Sequence, residues 1–228
     1  MKKNQIFCVS TRSRCLVIGV LLASLCLSTG CQALLATVLM LTGGTNTKAK
    51  YKFFKGKKVA VACVSETLND PRYDDVPRDL AKTVGLHLSE NVKKIEIITP
   101  SKINKWLERH DGRIDDPQEL GQDMEADMVM VIELASFETS TPSSPGNYQG
   151  RASASFIVYE VKSGKQLGAE TISEFVYPPN LRVSATDTRE SDFRIRYLKQ
   201  LSREIACHFY SYDHRDNMAM DAHAGLGR

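Results

Sequence analysis

The chain has 228 residues, of which 42% are hydrophobic and 25% are charged, and its formal net charge is +3. That length is enough for one domain with a substantial core. The positive balance comes from four basic residues near the amino terminus, without which 26 basic residues face 27 acidic ones. The basic isoelectric point therefore does not indicate a nucleic-acid partner, and none is expected.

The amino terminus has the features of an export signal. Residues 1–14 carry four positive charges, and residues 15–27 form an uncharged apolar run of 13 residues. Ser28, Thr29 and Gly30 are small residues that lie directly before Cys31. This order resembles the lipobox of bacterial lipoproteins, in which the cysteine is diacylated and becomes the first residue. The resemblance implies that Cys31 is the lipid anchor and that the protein lies in the cell envelope, on the periplasmic side of the inner or outer membrane.

Two other fates of this segment stay open. A second apolar run covers residues 33–41, so an uncleaved segment 15–41 is long enough to span a bilayer, which needs about 20 apolar residues. That segment would make a structural protein held by a signal anchor. Cleavage to a soluble form is the third alternative. We predict a signal peptide at 1–30, an anchor and tether at 31–57, an α/β domain at 58–212 and a flexible tail at 213–228.

The first half of the domain alternates strands and helices. Residues 59–64 (VAVACV) predict a strand buried on both faces, and an apolar residue every fourth position predicts a helix over 76–91. A strand follows at 94–99, then a helix capped by Ser101 and ended by Gly112. Asp116 and Pro117 begin a short helix. Residues 128–134 (MVMVIEL) predict another buried strand, parallel to the earlier ones because the connections are long.

The second half changes character. A loop at 138–149 precedes a hairpin of 151–161 and 166–177, which turns at Ser163 and Gly164. A last helix capped by Ser191 carries an i+4 apolar row that ends at Phe209, and Phe53 and Phe54 of the tether are expected to dock on the domain. The order βαβααβββα predicts a single three-layer-like α/β domain with a mixed sheet of about five strands and helices packed on it.

Short patterns within this order resemble a group of envelope domains. They are Lys58-Val59-Ala60-Val61, the helix of residues 80–88, Ile97-Ile98-Thr99-Pro100 and residues 120–129 (LGQDMEADMV). The group comprises the amino-terminal domain of TolB, the curli-secretion-channel lipoprotein domain and the lipoprotein activators of penicillin-binding proteins. The resemblance implies a non-catalytic binding or assembly module with an envelope protein partner, no enzymatic activity and no cofactor.

The residues offer little for nucleophilic catalysis or phosphate binding. The chain has no Gly-x-Ser-x-Gly elbow, and no glycine follows the first strand where a phosphate loop would need one. Cys63 lies in an apolar strand, where desolvation makes a thiol unreactive. Cys63 and Cys207 are either two buried thiols or a disulfide.

A metal-dependent hydrolase is the alternative function. Imidazole and carboxylate groups together suit zinc or iron. The carboxyl-terminal region contains six such residues: His208, Asp213, His214, Asp216, Asp221 and His223. Their spacing matches no closed metal site, and His208 also lies on the apolar side of the last helix, as a core histidine would.

Two further stretches are candidate contact sites. Glu66, Asp70, Asp74 and Asp75 crowd the loop at the carboxyl end of the first strand, where parallel sheets bind ligands. They would hold a cation or a basic partner, or simply match the dipole of the next helix. The segment 175–180 (FVYPPN) predicts either an aromatic partner contact or a stiff strand exit packed on the sheet.

Overall fold

The computed structural model describes residues 46–65, 67–68, 70–140 and 145–213. The predicted signal peptide, Cys31 and residues 214–228 lie outside this range. In chain order the elements are β1 Asn46–Thr47, β2 Lys58–Val64, α1 Val76–Asn91, β3 Glu96–Ile97, α2 Pro100–Arg109, α3 Pro117–Asp123, β4 Met128–Glu138, β5 Asn147–Tyr148, β6 Gly150–Glu160, β7 Gln166–Tyr177, β8 Val183–Ser184, α4 Glu190–Ala206 and β9 Tyr212–Asp213. Short 3-10 helices cover Pro71–Tyr73 and Cys207–Phe209.

Five strands form the main sheet, in the spatial order β3–β2–β4–β6–β7. Strand β2 pairs in parallel with β3 and β4, whereas β4–β6 and β6–β7 are antiparallel. The predicted mixed sheet of about five strands is therefore confirmed. Within the described ranges, no helix is both long and apolar enough to cross a membrane.

Helices cover both faces of the sheet around β2. Val59, Val61 and Cys63 belong to the core under α1 and α4, while Ala60 and Ala62 belong to a second core under α2 and α3. All five residues are buried. The two alanines leave room for the largest side chain of the second core, Trp106, which is 1% exposed. A continuous apolar strand is stable only when both of its faces are covered, and these two layers provide that cover.

The lead-in segment, residues 46–57, packs on the domain before β2 begins. β1 pairs with β9, and the Tyr51 amide donates to the His208 carbonyl at 2.9 Å. Phe54 is 1% exposed and stacks on Phe209 with 4.4 Å between ring centroids. The expected docking of Phe53 and Phe54 is confirmed, because both rings pack in the larger core.

Some predicted boundaries were wrong. The strand predicted over 94–99 pairs only at Glu96–Ile97, since Lys94 adopts a φ of 60° in the turn after α1. Ser101 and Ser191 do not cap their helices. Thr99 precedes Pro100, the first residue of α2, and Arg189 precedes α4, and neither makes a side-chain cap hydrogen bond. Proline fits the first helical position because its fixed φ suits the helix and its missing N–H is not needed there.

Gly121 fixes how closely α3 approaches the sheet. A β-carbon at this position would lie 2.9 Å from Val129 Cγ2 and closer still to Val161 Cγ2. Both valines are buried, so neither can move aside freely. The glycine is therefore required by packing, although glycine is a poor helix former.

We expect Gly121→Ala to destabilise the protein by about 1–3 kcal/mol, the range for overpacking a core. In an unobstructed helix the same change stabilises by up to about 1 kcal/mol, so the sign itself tests the packing. Urea unfolding of the full-length protein in detergent measures the effect. In the double variant Gly121→Ala/Val161→Ala, the free energy of unfolding should fall by less than the sum of the two single decreases, because Val161→Ala makes room for the added methyl group. A more stable Gly121→Ala protein would contradict the close approach.

Candidate binding cleft at the carboxyl ends of the parallel strands

An open cleft of about 730 Å³ lies where β2 and β4 end. Because these strands are parallel, with Val64 beside Glu133, the loop after β2 comes to lie against the second half of β4. The loop that leads to β5 and one residue after β8 complete the rim. The lining residues are Thr67, Leu68, Asp70, Arg72, Tyr73, Ala135, Ser136, Phe137, Glu138, Ser140, Pro145, Gly146, Asn147, Tyr148 and Ala185.

An ion pair stands on the wall formed by the loop after β2. The Arg72 guanidinium donates two hydrogen bonds to Asp70 Oδ2, from Nη2 at 2.6 Å and from Nε at 3.0 Å. The hydrogen bonds from this side chain lower the pKa of Asp70. Arg72 also lies over the ring of Tyr73, 5.3 Å from its centroid. The Asp70 carboxylate thus already has a cationic partner two residues away.

A chain of three side chains forms the buried support beneath that wall. The Tyr73 hydroxyl lies 2.9 Å from Thr139 Oγ1, and Thr139 Oγ1 donates to Glu190 at 2.7 Å. Thr139 is 1% exposed. Glu190 lies in the first turn of α4, where a carboxylate is favoured by the helix dipole. These bonds join the loop after β2, the end of β4 and the start of α4, and so fix one side of the cleft.

A β-bulge in β4 shapes the other side. The register between β4 and β6 shifts between Leu134 and Ser136. Ser65 Oγ donates to the Leu134 carbonyl at 2.6 Å, and Thr67 Oγ1 donates to the Ala135 carbonyl. The Ser136 hydroxyl accepts the Ser153 amide at 3.0 Å. Hydroxyl groups of the loop after β2 therefore replace the pairing that the bulge interrupts.

The third part of the rim is a small two-stranded ribbon. Asn147 and Tyr148 of β5 pair with Ser184 and Val183 of β8. Tyr148 stacks on Phe193 with 5.3 Å between ring centroids. This ribbon is short, and it is fixed to the domain by its aromatic residue.

The segment 175–180 packs on the domain rather than presenting its aromatic rings. Tyr177 is 4% exposed and lies 6.1 Å from Phe193 between ring centroids. Phe175 is half-buried and stacks on Tyr197. Only Pro179 and Asn180 are exposed. The structure thus favours the interpretation of a packed strand exit over that of an aromatic partner contact.

The predicted acidic cluster is separated by its own pairings. Asp70 is bound by Arg72, and Asp75 forms an ion pair with Arg78. Asp74 and Asp75 lie just before α1, where their charges complement the helix dipole. Asp70 alone of these three lines the cleft, and Glu66 lies outside the described residues.

Both predicted core cysteines are buried and free. Burial raises the pKa of the Cys63 thiol far above its usual range. Burial also raises the pKa of Cys207 to about 11. The interpretation as two buried thiols therefore fits the structure, and neither group is set up as a nucleophile.

Of the six candidate metal ligands, His208 and Asp213 lie within the described residues. His208 is half-buried, and its ring meets Phe156 edge-on at 5.5 Å between centroids. Burial lowers the pKa of His208. Asp213 lies in β9, and His214, Asp216, Asp221 and His223 fall outside the described residues. Among the residues that are described, no group of three or more His, Cys, Asp or Glu side chains could hold a metal ion.

Comparison with known proteins gives matches only among solved structures. No family model matches the sequence, and no curated protein matches it. The structures similar to this chain include lipoprotein GNA1162 from Neisseria meningitidis, with 15% identity, a TM-score of 0.42 and coverage of 65% of this chain and 96% of that chain. A PelC dodecamer from Paraburkholderia phytofirmans shows 11% identity and a TM-score of 0.42, covering 73% of this chain and 96% of that one. The LpoB C-terminal domain from Escherichia coli shows 8% identity and a TM-score of 0.34, covering 54% of this chain and 84% of that one.

We expect Cys207 in the folded protein to react with iodoacetamide at pH 8 about a hundredfold more slowly than an ordinary thiol, because only the thiolate is nucleophilic. The reaction should accelerate as the pH rises toward about 11. Peptide mass spectrometry after timed alkylation measures it, and the same protein in urea is the control. Equal rates with and without urea would contradict the buried state.

Proposed function

We propose that this protein is an envelope lipoprotein anchored by diacylated Cys31, and that its α/β domain is a non-catalytic module that binds or assembles another envelope protein. The observation that carries the proposal is the cleft, whose walls combine hydroxyl groups, main-chain carbonyls and apolar side chains on a fixed support. The signal and lipobox pattern before Cys31 supports the anchor.

The chemistry of the cleft suits recognition of a polypeptide. Ser136, Ser140 and Asn147 can exchange hydrogen bonds with a partner main chain, and Leu68 and Tyr148 offer apolar contact. The lining carries one paired charge couple, Asp70 with Arg72, and one further carboxylate, Glu138. This mixture of groups resembles the rim of a protein interface more than a pocket for a small charged molecule.

The same residues supply no activated nucleophile. The Ser136 hydroxyl lies 2.6 Å from the Ser153 hydroxyl, and no histidine or lysine is among the residues that line the cleft. Serine catalysis needs a base within hydrogen-bond reach of the hydroxyl. Cys63 and Cys207, the cysteines within the described residues, lie in the core. A binding role therefore accounts for the cleft better than a hydrolytic one.

The anchor is tested by the mature amino terminus. We expect mass spectrometry of the native protein to find a chain that begins at diacylated Cys31. Cys31→Ser should leave the precursor beginning at Met1, because the modified thiol is what directs cleavage in lipoproteins. An intact Met1 in the wild-type protein would instead support a signal anchor and contradict the proposal.

Binding is tested by cross-linking in cells. We expect p-benzoylphenylalanine at Ser140 or Asn147 to give a discrete adduct with another envelope protein at native abundance. Lys82 and Lys199 are exposed positions on α1 and α4 and serve as matched controls, because they lie away from the cleft. Absence of an adduct at both cleft positions, or the same adduct from the control positions, would count against the proposal.

A further inference from the structure

A second concave surface lies at the opposite end of β2 from the cleft. It has a volume of about 400 Å³, and its walls come from the first residue of β2, from α2 and from the turn after α3. Four of the residues that line it are cationic: Lys58, Lys102, Lys105 and Arg109. Its chemistry is therefore unlike that of the cleft, which has one cation.

The cations on α2 are exposed and are not neutralised. Lys102, Lys105 and Arg109 are exposed and share one side of the helix, and none forms an ion pair within the described part of the chain. Two carboxylates also line this surface. Asp123 accepts the Trp106 indole N–H at 2.8 Å, and Glu125 lies 3.6 Å from the Lys58 ammonium. Because four cations face only two carboxylates, the lining residues keep a formal net charge of +2.

The lead-in segment brings three more lysines up to the first residue of this surface, Lys58. Lys52, Lys55 and Lys57 come directly before Lys58, and Lys52 and Lys55 are exposed. We use the name basic surface for seven residues: Lys52, Lys55, Lys57, Lys58, Lys102, Lys105 and Arg109. The four cations of the concave surface and the three lysines that precede Lys58 in the chain attract polyanions over about a Debye length, roughly 10 Å at 0.1 M salt.

Lysines are concentrated at one end of the sheet. The loops around the cleft contain arginines and, in their described parts, no lysine. Lys93 and Lys94 precede β3, and Lys162 and Lys165 lie in the turn between β6 and β7, at the end of the sheet where β2 and β4 begin. Outside the lead-in segment, α2 and that end of the sheet, Lys82 and Lys199 are the only lysines among the described residues.

We propose that the basic surface lies on an anionic lipid bilayer and contacts the phosphate groups of its lipids, an inference that rests on the proposed lipid anchor. Residues 32–45 separate Cys31 from the lead-in segment, and a chain of that length spans at most about 50 Å. Lysine ammonium groups near an anchor interact favourably with anionic headgroups. Because the cleft lies at the other end of β2, this orientation turns it away from the bilayer and toward a partner.

Lysine footprinting of the full-length lipidated protein tests the orientation. The protein is reconstituted into vesicles of phosphatidylcholine alone or of phosphatidylcholine with phosphatidylglycerol, and it is acetylated with a water-soluble reagent. We expect Lys55, Lys102 and Lys105 to react at least about threefold more slowly in the anionic vesicles, with Lys82 and Lys199 unchanged. Molar salt should remove the protection, because it shortens the Debye length to about 3 Å.

Charge-reversal variants separate this surface from general attraction. Lys102→Glu/Lys105→Glu should remove the protection of Lys55, whereas Lys82→Glu/Lys199→Glu carries the same charge change and should retain it. All four positions are exposed, so we expect the substitutions to leave the protein folded. If a variant is poorly produced, the wild-type footprint in the two kinds of vesicle still tests the orientation.

The outcomes distinguish this inference from the proposed function. Equal reactivity in both vesicles, with the protein still floating on phosphatidylcholine, overturns the orientation and leaves the anchor intact. Flotation on anionic vesicles only supports the basic surface and overturns the anchor, and flotation on neither overturns both. Protection by inorganic phosphate in phosphatidylcholine vesicles at matched ionic strength would identify a site for a free anion and overturn the orientation.

Discussion

The fold depends on the burial of β2 on both of its faces. A strand that reads KVAVACV has no polar face to give to water, so helices must cover it on either side. The alternation of larger residues with alanines separates the two cores, because Ala60 and Ala62 belong to the core that contains Trp106 while Val59 and Val61 belong to the core that α1 and α4 cover. The parallel pairing of β2 with β4 then brings their carboxyl ends together, and that edge is where the cleft forms.

The hydrogen bonds that shape the cleft lie where strands end or lose their regular pairing. The bulge between Leu134 and Ser136 takes β4 out of regular pairing, and hydroxyls of Ser65 and Thr67 bind the carbonyls it leaves. Buried Thr139 joins Tyr73 to Glu190. A surface held in this way is preorganised, which would reduce the entropy lost on binding the proposed partner.

Local patterns predicted much of the fold. The apolar period over residues 76–91 predicted α1 with both of its ends, and Ser163-Gly164 predicted the turn at which Gly164 adopts a φ of 67°. The cleft could be predicted only as a position at the end of the first strand. Its key contacts join residues far apart in sequence, such as Tyr73 with Thr139, and they depend on a register shift that no periodicity reports. Thr139 and Ser136 were missed because a hydroxyl residue near the end of a strand carries no distinguishing signal.

The charged residues also show which features could be predicted from the sequence and which could not. The run of lysines at residues 52–58 is visible in the sequence, but the chain gives no sign that α2 adds three more cations beside it. Likewise, the acidic residues 70–75 form a cluster in the sequence, whereas the fold gives Asp70 and Asp75 separate arginine partners. The order of charges along a chain thus shows which charged residues are present. The packing of the folded chain decides which of them form ion pairs with each other and which can bind something else.

The pairing of β1 with β9 places the first and last described strands side by side. A mechanical pull on the chain before Asn46 is therefore delivered first to this two-residue ribbon and to the bond between Tyr51 and Glu170, which measures 2.6 Å. These contacts can yield while β2 stays seated in the sheet. With the proposed anchor at Cys31, these contacts would lie between the point of attachment and the core, and moderate tension would break them before it disturbed the main sheet.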